Sequence, residues 1–478
     1  MSNDSSWQGL ADVLAEELEH LPAGARIPTH RQLVQRFGAS ATTVSRALSS
    51  LSRQGLIESR PGAGSFRSAS RAATSVVDTG WQEAALAVSP VVGSEPTPVR
   101  EHDASTVGAT LSSYGADVVD LNSGYLHPDL QPLDLLATAL GRVGRRRDTW
   151  ERPEVAGLPD LRDWFATEIG AGLARHDVLV TAGGQAALSL VMRAVGTPGD
   201  PVVVETPTYP GILAAAAAAG LRAVPVPVDN AGIQPEHLER ALTQTGARLV
   251  VVQPRFHNPT GVSLSDDRRR QVIELVVRHG AFLVEDDFAR YLPHTDAAPP
   301  SPSLIEGDPV GAVVHVRSLT KSTSPNLRVA GVAGRGPVMG RLRAAHVVDT
   351  MFVPAVLQHA ALEVLTSASW PRALRSLAGH LADRRDVAVE AVRQHLPEGS
   401  LDRPAHGGYH LWVRTPTGTE DHDVAARALQ RGVAVTPGSN YHPTRATTNR
   451  LRLSYVAAPS PADVVAGIRR LGEALHPR

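Results

Sequence analysis

Lys321 is the only lysine of the chain, in a composition where arginine supplies every other long basic side chain. A guanidinium stays charged and forms no imine, whereas an amine can lose its proton and attack a carbonyl. The residue type therefore points to covalent chemistry at one position, although by composition alone a surviving surface lysine accounts for it equally well. The surroundings favour chemistry. Ser318, Thr320, Ser322, Thr323, Ser324 and Arg328 place hydroxyls and a cation around the amine, after the apolar run from Ala312 to Val316. That pattern reads as a strand entering a loop rich in anion ligands, a place to hold a phosphate beside an imine.

Four further motifs supply complementary groups. In Thr181–Leu188 a loop containing Gly183, Gly184 and Gln185 gives way to a helix whose free amides can hold a phosphate. Two glycines alone are weak support. Tyr209, in the turn Glu205–Gly211, can stack on a flat ring, though a single tyrosine more often packs. Asn258 offers an amide on the turn His257–Gly261. Asp286, in the strand end Glu285-Asp286-Asp287, can salt-bridge a protonated ring nitrogen, although by itself it reads equally as a helix cap or solvated acid. Together an amine, a phosphate cradle, a stacking aromatic, an amide and an acid meet the needs of pyridoxal 5′-phosphate.

The elements that must position these groups read as an α/β domain from about Asp120 onward. Val202–Val204, Leu249–Val252 and Phe282–Val284 are buried-type strands alternating with helical segments, and chemistry in such sheets collects beyond the strand ends. At 478 residues and 42% hydrophobic, the chain has room for more than one domain. The absence of cysteine excludes disulfides and thiolate metal sites. No apolar stretch is long enough to span a bilayer, and the polar N-terminus lacks signal-peptide features, so a cytoplasmic protein, nucleoid-associated when on DNA, is expected.

The formal charge of −1 conceals a basic stretch with seven arginines and one acid, Glu58, between Arg26 and Arg67. Here Gln8–Leu21 reads as an amphipathic helix with Leu10, Val13, Leu14 and Leu18 inward. Thr29 caps a second helix, and Gly38-Ala39-Ser40 turns into a third carrying Val44, Leu48 and Leu51. Ser40, Thr42, Thr43, Ser45 and Arg46 are left where hydroxyls and an arginine reach phosphates and base edges. Gly55–Arg60 and Pro61–Phe66 form a two-stranded wing with a glycine-rich tip.

This segment resembles the winged-helix domain of the GntR family of bacterial transcription regulators, through Ile27–Leu33, Ser40–Leu48 and Gly55–Ile57 with the wing. The resemblance implies double-stranded DNA contacts from Arg31, Ser40, Thr42, Thr43, Arg46, Gly62 and Gly64, with Ala41 standing where the family usually has a polar residue. The remainder resembles the fold type I aminotransferases. By that resemblance Lys321 forms the Schiff base, Asp286 pairs with the pyridine nitrogen, Asn258 bonds the ring hydroxyl and Tyr209 stacks on the ring. Gly184, Gln185, Ser318 and Arg328 hold the phosphate, and Arg452 receives a carboxylate. Gly157–Arg162, Gly407–Trp412 and Pro437–Ser439 also match. Departures are Phe288 in place of a common tyrosine, Trp150 in place of a phosphate-contacting tyrosine, and His257 in place of a glutamine. They put efficient turnover in doubt.

The combination is similar to the MocR subfamily: a winged helix-turn-helix over 1–69, a flexible linker over 70–118 and an aminotransferase-like body over 119–478. It implies a regulator sensing pyridoxal phosphate, an amine or an amino acid through an aldimine at Lys321. The alternatives are a working aminotransferase with an accessory head, or a regulator whose body no longer binds the cofactor. A homodimer is expected from the resemblance. Relatives that sense γ-aminobutyrate often carry an arginine two residues after the stacking tyrosine, where this chain has Gly211, which argues mildly against that effector. Arg145–Arg147 and Arg268–Arg270 read as solvated helix faces, Ala214–Ala219 as helix interior, and the scattered histidines assign no metal.

Overall fold

The computed structural model describes residues 5–19, 21–22, 24–53, 55–60, 64–68, 104–444 and 449–475, which fall into two compact units. In the first, α1 (Ser5–Glu19), α2 (His30–Phe37) and α3 (Ala41–Arg53) precede the antiparallel strands β1 (Ile57–Arg60) and β2 (Gly64–Arg67). Thr29 caps α2 as expected: its hydroxyl accepts from the Gln32 N–H while Gln32 Oε1 accepts from the Thr29 N–H at 2.8 Å. Gly38 ends that helix at φ +59°, where a side chain would be strained. Leu10, Leu14, Leu18, Leu33, Val44, Leu51 and Ile57 form the core. Val13 does not join it and is 45% exposed. The buried stripe of α1 runs through Leu10, Ala11, Leu14 and Leu18, and at 100° per residue Val13 falls outside it.

The second unit is built on an eight-stranded mixed sheet. Strand β3 (Val119–Asp120) stands apart from it. The sheet comprises β4 (Val178–Thr181), β5 (Pro201–Thr206), β6 (Arg222–Asp229), β7 (Gly232–Ile233), β8 (Leu249–Val252), β9 (Phe282–Asp287), β10 (Val313–Ser318) and β11 (Ala330–Ala333), in the order β4-β11-β10-β9-β8-β5-β6-β7. Strands β10, β9, β8, β5 and β6 are mutually parallel, while β11 runs antiparallel to both β10 and β4. The valine-rich strands are buried on both faces under helices, which explains their near-continuous apolar runs. A smaller antiparallel sheet joins β12 (His410–Arg414), β15 (Arg450–Ser454) and β14 (Thr436–Pro437), and β13 (Val433–Ala434) pairs with β3.

Within the expected linker, residues 70–103 lie outside the described residues. Residues 104–118 carry a short helix, Ser105–Ala109. In the arginine triplet 268–270, Arg270 is exposed as expected, but Arg268 and Arg269 do not belong to a solvated face. Arg268 bonds Asp229 at 2.7 Å and the carbonyls of Gly232 and Ile233, and buried Arg269 donates to the Pro302 carbonyl. Both side chains fasten the Asp266–Arg278 helix to neighbouring loops, a demand that only the packed chain creates. No helix among the described residues is long and apolar enough to cross a membrane.

Candidate functional site

Because β4, β5, β8, β9 and β10 share one direction, their C-terminal ends open at one edge of the sheet. These strand ends and the segments that follow them bring Gly184, Gln185, Tyr209, Asn258, Asp286, Ser318, Lys321 and Arg328 into the wall of one cavity of about 680 Å³, and β15 contributes Arg452. All nine cofactor and carboxylate positions expected in the body thus converge.

Lys321 Nζ donates to the Gly124 carbonyl at 2.9 Å and lies 3.8 Å from the centre of the Tyr125 ring. Burial disfavours its charged form, and Arg452 and Arg328 repel it; with only Asp286 opposing, its pKa falls to about 7. Burial also pushes Asp286 up to about 7, despite a hydrogen bond from Gln253 Nε2 at 2.8 Å, because Asp287 and Glu205 add negative charge nearby. The cavity therefore holds an amine and an acid that both titrate near neutrality, a property suited to proton exchange and imine chemistry.

The expected phosphate ligands are assembled by close approach. Gly183, at φ +90°, starts the Gly184–Val195 helix, and a Cβ there would lie 2.8 Å from the Arg328 guanidinium. A Cβ on Gly184 would stand 3.3 Å from Ser318. The free amides of a helix N-terminus, a serine and an arginine are thus brought together, the donor set of an oxyanion site. Gln185 Nε2 donates to the Gly211 carbonyl at 2.8 Å, and a Cβ on Gly211 would lie 2.2 Å from both Gln185 Oε1 and Tyr209 Cε1. Any longer side chain at Gly211 requires both neighbours to move.

Several lining residues were not anticipated. Gln253 joins Asp286 to the Asn258 N–H, which donates to Gln253 Oε1 at 3.2 Å. Tyr125 and Tyr409 face the amine, and Thr110 and Leu111 reach the cavity from the N-terminal side of the body. Tyr409 lies within a recognised motif, Gly407–Trp412, whereas Gln253 and Tyr125 carry no local signal. Phe288 lines the cavity and meets Tyr409 edge to face at 6.2 Å, so no phenol stands at that position. Trp150 is 72% exposed, donates to the Gly144 carbonyl, and does not line the cavity of its own chain. His257 is buried 3.3 Å from Glu205.

The other face of β9 carries a buried charge network. Glu285 contacts His315 at 2.7 Å, and Asp287 pairs with Arg317 at 2.8 Å and Arg255 at 3.2 Å. Burial favours protonation of Asp287, but Arg317, Arg255 and His315 outweigh it and bring its pKa to about 2. Glu285, Asp287 and His315 have ligand atoms within 4.8 Å of one another, the one such cluster among the described residues. Both acids are already engaged by cations and histidine.

In the first unit Ser40 caps α3, its Oγ accepting from the Thr43 N–H at 3.1 Å, and its hydroxyl meets that of Thr43 at 2.8 Å. Arg31, Thr42 and Arg46 are exposed, with Arg46 5.8 Å from the Trp7 ring centre. Gly64, at φ +106°, approaches Arg26 closely, and Gly62 lies outside the described residues.

Comparison with known proteins agrees with this geometry. Residues 116–471 match the family described as aminotransferase class I and II, and residues 11–66 the bacterial regulatory proteins of the gntR family. The chain is 28% identical to the uncharacterized HTH-type transcriptional regulator YdfD of Bacillus subtilis, over 94% of this chain and 92% of the relative. It is 30% identical to 2-aminoadipate transaminase of Thermus thermophilus, over 75% and 90% respectively. Among solved structures, α-aminoadipate aminotransferase LysN from Thermus thermophilus, complexed with N-(5′-phosphopyridoxyl)-L-leucine, superposes with a TM-score of 0.72 at 28% identity, covering 78% of this chain and 95% of that one.

Proposed function

The chain belongs to the class I and II aminotransferase family and joins that body to a GntR-family head, and from this premise we propose that it is a DNA-binding transcriptional regulator that holds pyridoxal 5′-phosphate at Lys321 and reads the cofactor, an amine or an amino acid as its signal. The observation that carries this reading is the position of the only lysine, in the wall of a cavity shared with Ser318, Arg328, Asp286 and Tyr209. The residues present fit the cofactor. Asn258 Oδ1 and Thr320 Oγ1 are buried without a partner among the described residues, and Gly183 and Gly184 keep clear a space beside Arg328 and Ser318 that a Cβ would crowd.

Bound there, pyridoxal phosphate supplies an aldehyde carbon open to amines and a ring that draws electrons. The chain's residues do the rest. Lys321, with a pKa near 7, offers an unprotonated nitrogen at neutral pH and can release or accept a proton at Nζ. Asp286 provides a carboxylate for a ring nitrogen, Asn258 an amide for a ring hydroxyl, and Tyr209 a flat face. Gly184, Gln185, Ser318 and Arg328 anchor phosphate, and Arg452 takes the carboxylate of an amino acid. Phe288 contributes bulk without a proton.

Turnover is a separate demand, since it requires Lys321 to shuttle protons through a full cycle. Similarity to a transaminase favours an enzymatic reading, but the head over residues 11–66 has no part in such chemistry. On our reading the protein works in the cytoplasm as a homodimer on a double-stranded DNA operator, with Arg31, Ser40, Thr42, Thr43, Arg46 and the Gly62–Gly64 tip facing the duplex.

The test is the visible spectrum of the purified protein with pyridoxal phosphate, followed by borohydride reduction and peptide mapping. A reducible chromophore on Lys321 is the expected outcome, together with cofactor-dependent DNA binding that Lys321→Ala abolishes. A Lys321→Ala protein with unchanged absorbance and unchanged ligand-dependent DNA binding overturns the proposal.

A further inference from the structure

Asn122 is 2% exposed and sits between two parts of the body that are far apart in sequence. On one side, Arg452 Nη2 donates to its main-chain carbonyl and, at 3.3 Å, to Thr436 Oγ1; the Thr436 hydroxyl in turn donates to Asn122 Oδ1 at 2.5 Å. On the other, Asn122 Nδ2 donates to the Ala109 carbonyl at 2.7 Å and to the Tyr114 hydroxyl at 3.2 Å. Both amide hydrogens and the amide oxygen are thus engaged. Residues 109–114 belong to the stretch that leads from the N-terminal side into the body, and Thr110 and Leu111 within it line the cavity beside Arg452. The main-chain bonds of this stretch, Gly108 to Ala104, Thr110 to Val107 and Leu111 to Gly108, close on itself. Side-chain bonds such as those from Asn122 therefore matter to its anchorage.

The guanidinium geometry creates a conflict. A carboxylate can bind a guanidinium in two-point fashion either through Nε and Nη2 or through Nη1 and Nη2, and both arrangements include Nη2. The two hydrogens of Arg452 Nη2 point to Asn122 O and Thr436 Oγ1, whereas Arg452 Nε is buried with no partner among the described residues. A two-point carboxylate must therefore take at least one Nη2 hydrogen from Asn122 or from the threonine bonded to Asn122.

We propose that Asn122 is a positioning residue that couples carboxylate capture at Arg452 to release of residues 104–114. Capture withdraws Nη2 from the Asn122 network, Asn122 and Thr436 readjust, and the bonds to Ala109 and Tyr114 weaken. A signal molecule bearing a carboxylate thereby acts on the stretch nearest the head in sequence, and one lacking a carboxylate does not. The inference rests on the reading that Arg452 receives a carboxylate.

The experiment is amide hydrogen exchange of the full chain loaded with pyridoxal phosphate, with maleate as a carboxylate probe, ethylamine as an amine without one, and calorimetry to record maleate binding. In the wild type, maleate is expected to speed exchange across 107–114 by roughly tenfold, the response to one weakened anchoring bond, and ethylamine to leave it unchanged. Asn122→Asp keeps the oxygen that accepts from Thr436 but loses the donor to Ala109 and Tyr114. Its segment should exchange fast at the outset and respond no further although maleate still binds. Tyr114→Phe, a milder change, should speed basal exchange while keeping a maleate response. Maleate binding with no change in wild-type exchange, or a wild-type response in Asn122→Asp, overturns the coupling alone. Absence of saturable maleate binding overturns it together with the role of Arg452. A missing chromophore on Lys321 instead sinks the cofactor reading.

Discussion

Gln253 donates a 2.8 Å hydrogen bond to Asp286 across two neighbouring parallel strands, and the same side chain accepts from the main chain of Asn258. One amide thereby sets the orientation of the acid expected at the ring nitrogen and the backbone of the amide expected at the ring hydroxyl. It also opposes the burial that raises Asp286.

Replacing Gln253 with Leu removes the bond that favours the ionised acid. Asp286 should then titrate at still higher pH, and the acid limb of pyridoxal phosphate binding should move to higher pH with it. Affinity at pH 7 is expected to fall about tenfold, the scale of one hydrogen bond to a charged group. Spectrophotometric titration across pH measures both effects, and an unshifted acid limb would show that Gln253 does not control Asp286.

Lys321 makes a signed prediction about stability. Its folded pKa, about 7, lies below the ordinary 10.5, so between those values the unfolded chain binds a proton that the folded chain does not. Stability from this group therefore rises with pH from about 7 towards 10.5. Asp286 acts in the opposite sense, its folded pKa of about 7 exceeding the ordinary 3.8, so its contribution is lost as pH rises from 3.8 to 7. In cofactor-free protein, Lys321→Met should stabilise by about 1–2 kcal/mol at pH 7. Denaturant melts at pH 7 and 9.5 should show the gain shrinking as pH rises; a constant gain would contradict the assignment.

Arg317→Met probes the network behind the site. Arg317 and Asp287 are both almost fully buried, and removing the cation takes away the largest attraction on Asp287, leaving Arg255, His315 and the more distant Arg290. A loss of about 3–5 kcal/mol in unfolding free energy is expected. A change within about 0.5 kcal/mol, the range of ordinary surface substitutions, would show that water or rearrangement replaces the arginine.

For the head, Arg31→Ala removes an exposed cation at the start of α2. If Arg31 contacts a phosphate, DNA affinity should fall evenly across sequences, and the slope of log affinity against log salt should flatten by about one unit. Fluorescence anisotropy over a salt series distinguishes this from base recognition, in which the loss depends on operator sequence.

The expected residues that line the cavity around Lys321 were legible because each stands in a local pattern dictated by chemistry. An amine after a strand, glycines before a helix and an acid at a strand end remain recognisable whatever the rest of the chain does. The head was legible for the same reason, since capping and turn preferences act over three or four residues, as Thr29 with Gln32 demonstrates. Val13 misled because apolar character fixes a preference for burial but not the exact axis of the buried stripe. Arg269 misled because its partner, Pro302, comes from a separate loop.

By itself the sequence determined the family, the order of elements and which side chains gather around Lys321, all of which follow from short-range spacing. Tertiary structure alone decided the electrostatics and the couplings. The neutral tendencies of Lys321 and Asp286 arise from burial and from charges that folding brings close, Arg452 and Arg328 to Lys321 and Glu205 to Asp286, beside the adjacent Asp287. Asn122 meets Arg452 across 330 residues of chain because β15 folds back against the segment following β3. Local propensity carries no record of such distances, since hydrogen bonds and charge interactions depend on separation in space.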